Sequence, residues 1–134
     1  LGQDRSSYIW PGGDMPMFPF IALPLAAMAL GLVLVVLHLR GIRKPLLIGL
    51  HLLLGLGALE VLVVLLKGTS GSDGLPAGDF GNVAAGCLAL AAFVGLLTPI
   101  LGRRSRLTAN AMLLAHGSAG VAGVLFCIAW ASGL

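Results

Sequence analysis

The chain has 134 residues, a net charge of +3 and a mean hydropathy of +1.04, with 58% of residues hydrophobic and only 10% charged. Soluble domains average about 25% charged residues, so this composition excludes an ordinary soluble enzyme and defines an integral membrane protein. The length suits one compact membrane domain over residues 1–134.

Residues 1–19 hold Trp10-Pro11-Gly12-Gly13, Pro16 and Pro19, a composition that predicts an irregular interfacial stretch. Four apolar segments then follow, each near the roughly 20 residues that a bilayer crossing requires. The spacing predicts spans over 20–39, 45–66, 82–101 and 108–132, with Pro45 well placed at a helix start. Two of the connections are short and basic, Arg40-Gly41-Ile42-Arg43-Lys44 and Gly102-Arg103-Arg104-Ser105-Arg106, and the middle one, 67–81, is rich in Gly, Ser and Asp. Short connections imply antiparallel neighbours, so the expected fold is all-α, an up-down-up-down bundle of four transmembrane helices.

Six of the eight Lys and Arg residues lie in the two basic connections, which contain no acidic residue. This clustering excludes nucleic acid as a partner and, by the positive-inside rule, places 40–44 and 102–106 in the cytoplasm. The N-terminus, the 67–81 loop and the C-terminus are then expected outside. Tyr8, Trp10, Phe18, Phe20 and Trp130 would fall at the outer interface, where aromatic belts form. The two basic connections are the only visible correspondence between the halves, too little to establish a repeat.

Ionisable residues inside spans are costly in hydrocarbon and are functional candidates by default. His51 lies seven residues past Lys44 and His116 ten past Arg106. At about 1.5 Å per residue these offsets place them at similar depths, roughly 10 and 15 Å from the inner charged edge. Two imidazoles at one level predict a bis-histidine site for the iron of one haem b. Gly55 and Gly120 each stand four residues beyond a histidine, on the same helix face, and are the candidate clearance for the ring. Small residues are also the ordinary glue between membrane helices. His38, two residues before Arg40, belongs with the headgroups. No acidic residue or cysteine lies at the histidine level to complete a zinc or iron shell without porphyrin.

Glu60 is the sole acidic residue within any predicted span, nine residues past His51 and so about 180° around the helix. It is a candidate proton-relay, quinone-site or partner-contact carboxyl. Cys87 and Cys127 read best as two small apolar residues rather than a disulfide. No P-loop, strand-linked GxGxxG, GxSxG or HExxH motif occurs.

The four-span plan with His51, Gly55, His116 and Gly120 resembles the haem b-bearing membrane anchors of respiratory and photosynthetic complexes. The resemblance is architectural. It departs from two-haem cytochromes b, which use four histidine ligands, because only three histidines are present. The leading expectation is a small membrane subunit of a redox or energy-converting complex, transferring electrons through haem b with other subunits or quinone as partners. The alternatives are a cofactor-free accessory subunit and a small proton-coupled transporter centred on Glu60.

Overall fold

The computed structural model describes residues 17–69, 78–103 and 105–132. Four helices account for nearly all of them: α1 (Met17–Leu39), α2 (Pro45–Thr69), α3 (Gly78–Leu101) and α4 (Arg106–Ala131). No strand occurs among the described residues. Each helix carries a stretch long and apolar enough to cross a membrane. The helices are apolar all round, the pattern of spans facing both neighbours and lipid rather than water.

The helices are longer than the apolar runs that predict them. α1 begins at Met17, inside the stretch expected to be irregular, and so takes in Pro19. A proline fits there because the first N–H groups of a helix lack carbonyl partners in any case. α2 continues through Lys67 to Thr69, and α3 starts at Gly78, ahead of the expected Asn82. Asp79 in the first turn of α3 suits the positive end of the helix dipole. Tyr8, Trp10 and the remainder of the expected interfacial segment and outer loop lie outside the described residues.

The connection after α1 is closed by Gly41, whose φ of 71° lies in the left-handed region. Its N–H bonds the His38 carbonyl at 2.9 Å and the Ile42 N–H bonds the Leu37 carbonyl at 2.9 Å, capping the end of the helix. At the start of α4, Ser105 is the N-cap and its Oγ accepts from the Thr108 N–H at 3.0 Å.

α3 and α4 pack most extensively, α1 and α2 next, and α2–α3 and α1–α4 close the ring. The α1–α3 and α2–α4 pairs are therefore diagonals. α3 and α4 run antiparallel: Gly102 lies beside Ala109, Gly95 beside His116, Gly123 beside Leu88, and Gly81 beside Trp130. Small residues set these approaches, as expected where lipid offers no hydrophobic drive for helices to associate. The buried core is slight and small-featured. Leu62, Ala84 and Cys127 form its centre, flanked by Leu65, Leu88 and Phe126. No polar or charged residue is fully buried among the described ones.

The two halves correspond more closely than their loops suggest. Ala27 and Gly31 of α1 match Ala91 and Gly95 of α3, and His51 and Gly55 of α2 match His116 and Gly120 of α4. Burial follows the same register. Ala27 (8% exposed) matches Ala91 (5%), and Leu62 (0%) matches Cys127 (1%). Ala58 and Gly123, also equivalent, are both buried. The relation exchanges α1 with α3 and α2 with α4.

Candidate functional site

His51 and His116 project from diagonal helices and meet at the centre of the bundle. Their Nε2 atoms are 3.4 Å apart. The ring centroids are 5.7 Å apart and the planes are inclined at 75°. Both residues are half-buried.

The other nitrogen of each ring is committed to a backbone carbonyl on the helix alongside. His51 Nδ1–H donates to the Ala27 carbonyl at 2.9 Å. His116 Nδ1–H donates to the Ala91 carbonyl at 2.7 Å. A carbonyl can only accept, so the proton of each neutral ring sits on Nδ1 and each Nε2 keeps its lone pair. The two Nε2 atoms, 3.4 Å apart, then either face each other as two lone pairs or share one added proton. An electron-poor centre between the lone pairs would relieve their opposition. Histidine ligands to metals commonly have this form, with the distal N–H held by a carbonyl that fixes tautomer and ring orientation.

The rings also rest against glycine. A Cβ built on Gly31 would lie 3.0 Å from His51 Cε1, and one on Gly95 would lie 2.9 Å from His116 Cε1 and Nδ1. Both distances are tighter than nearly all real Cβ contacts, so these positions have room for glycine only while the imidazoles stay where they are. Gly55 and Gly120, the clearance candidates on the histidines' own helices, are placed differently. A Cβ on Gly55 would meet nothing within 4 Å, and one on Gly120 only the Ala91 Cβ at 4.0 Å. The structure brings the two histidines together and sets Gly31 and Gly95, rather than Gly55 and Gly120, against their rings.

Glu60 is exposed on the outside of the bundle, as its offset from His51 predicts. His38 is exposed at the end of α1. Cys87 and Cys127 are free thiols. The hydroxyls of Thr98 and Ser118 bond carbonyls of their own helices, Val94 at 2.8 Å and Ala115 at 3.1 Å, leaving no activated nucleophile near His116. No group of three or more His, Cys, Asp or Glu side chains converges among the described residues. No family model, curated protein or solved structure matches this chain.

Proposed function

We propose that this chain is a small integral subunit of a redox or energy-converting membrane complex, in which His51 and His116 are the residues that would hold one b-type haem. The two Nε2 atoms that face each other, with both Nδ1 atoms held by carbonyls, carry this reading. Two metal–imidazole bonds of about 2.0 Å each need nitrogens roughly 4 Å apart. The observed 3.4 Å is shorter than that, and a macrocycle would further require the α1–α2 and α3–α4 hairpins to part around the pair. The Ala27 and Ala91 carbonyls hold the ligand nitrogens in the required tautomer, and the apolar helices keep water from the pair. The haem would supply one-electron transfer. The protein's part is to fix two neutral imidazoles at one level and to surround them with a medium of low dielectric. Electron partners would be quinone or a neighbouring subunit. The basic connections 40–44 and 102–106 would face the cytoplasm.

The full-length protein, expressed with ample haem supply and purified in detergent, tests this directly. The expected dithionite-reduced spectrum shows the α band of a low-spin bis-imidazole haem, at one haem per chain. His51→Ala and His116→Ala should each abolish it. Haem-replete preparations without that band would overturn the reading.

A further inference from the structure

We infer that His51 and His116 form a binding site for a single proton, held between their two Nε2 atoms as one imidazole–imidazolium hydrogen bond at the centre of the bundle. The site stands on the geometry of the bare pair and does not depend on the haem reading above.

The rings meet end to end. Their centroids are 5.7 Å apart and their Nε2 atoms 3.4 Å apart. The difference matches the radii of both rings together, so each Nε2 lies close to the line joining the centroids. The lone pair of an imidazole nitrogen points along that same line, outward from its ring. Both Nδ1–H groups are spent on the Ala27 and Ala91 carbonyls, so in the neutral pair both Nε2 lone pairs aim at one point. A proton placed there turns two opposed acceptors into a donor and an acceptor. Charge-assisted hydrogen bonds are typically under about 3 Å long, so the rings close slightly on the proton and no cavity is required.

Matched partners share a proton best, and these two are matched. Each ring bonds an alanine carbonyl, at 2.9 Å for His51 and 2.7 Å for His116, and rests against a glycine one turn further along the same helix. Uptake stops at one proton, because a second would set two like charges in contact at low dielectric.

Among the described residues, no other titratable side chain of the four helices joins the pair. α1 carries only His38, exposed at its C-terminal end. α2 carries Glu60, exposed on the outside, and Lys67 in its last turn. α3 carries Asp79 in its first turn and Cys87 beside Gly123. α4 carries Arg106 at its start and Cys127, packed with Leu62 and Ala84. No carboxylate therefore neutralises the proton. Its charge is spread over two rings and passed to two backbone carbonyls.

Nitrogen NMR of the full-length chain reads the site, with isotope-labelled histidine, no haem supplied and a chelator present. His38→Gln, at an exposed position, leaves only the pair in the spectrum. At alkaline pH both rings should be neutral, with the proton on Nδ1. On acidification the pair should take up one proton per chain. Both Nε2 signals should then shift together, and a scalar coupling between the two Nε2 nuclei should appear. Neutral rings protonated on Nε2, uptake of a separate proton by each ring, or one bound proton without the coupling would each overturn the proposal. So would a pair that takes up no proton while the fold persists. The preparation holds no haem, so this result and the reduced haem spectrum stand or fail separately.

Discussion

Gly41 sits at a φ of 71°, where an L side chain is strained by roughly 1 kcal/mol or more. Gly41→Ala should therefore destabilise the fold by about 1 kcal/mol, as measured by reversible denaturation in detergent, and Gly41→Asn by less. Legibility differs sharply among single residues. That His51 and His116 stand at one level was readable from their offsets to the two basic connections. Gly31 and Gly95 were not, because they are two among 20 glycines, most of which serve helix packing equally well. The direction of the side chain explains why Gly55 and Gly120 looked better from sequence alone. A helical side chain leans towards the N-terminus, over the preceding turn. The histidines therefore reach away from residues four positions later and across to the neighbouring helix. No single-helix spacing rule reports what that neighbour offers.

At the scale of elements, α3 and α4 form the tightest pair, and Gly123 is their closest point. A Cβ there would lie 2.8 Å from two Leu88 atoms and 3.3 Å from the Cys87 Cβ. Gly123→Val should pry the two helices apart. Cys127, only 1% exposed and one turn further along α4, reports it. Its reaction with a maleimide in the folded wild type should be slow, and several-fold faster in Gly123→Val. An unchanged rate would show that the pair absorbs the added bulk. The number of helices and the inner connections were legible because charged residues bracket the apolar runs. The C-terminal end of α2 and the N-terminal end of α3 were not. Hydropathy marks where lipid contact stops, whereas helical hydrogen bonding continues through the headgroup region, carrying α2 to Thr69 and α3 back to Gly78.

At the scale of the whole molecule, charge and architecture make separate claims about the membrane. The four apolar helices define a multi-pass protein, and the basic connections predict which side they face. Single-cysteine substitutions at Ile42 and at Ser72, in a background free of Cys87 and Cys127, should be labelled by an impermeant thiol reagent from the cytoplasmic and outer sides respectively. The reverse pattern would invert the orientation. The matching of halves was nearly invisible in sequence because the identities are few and fall on common residues. Only the shared pattern of burial and hydrogen bonding exposes it. That matching bears on how far the two sides of the site can differ. The histidine pair, flanked by two equivalent hairpins, meets the same carbonyl, the same glycine and the same imidazole on either side, so its immediate surroundings do not distinguish one hairpin from the other. Any asymmetry between the two sides must then come from where the halves diverge. Glu60 is one such place: its counterpart is Leu125, exposed on α4. The centre is alike from both hairpins, and direction, if the protein has one, is written at its periphery.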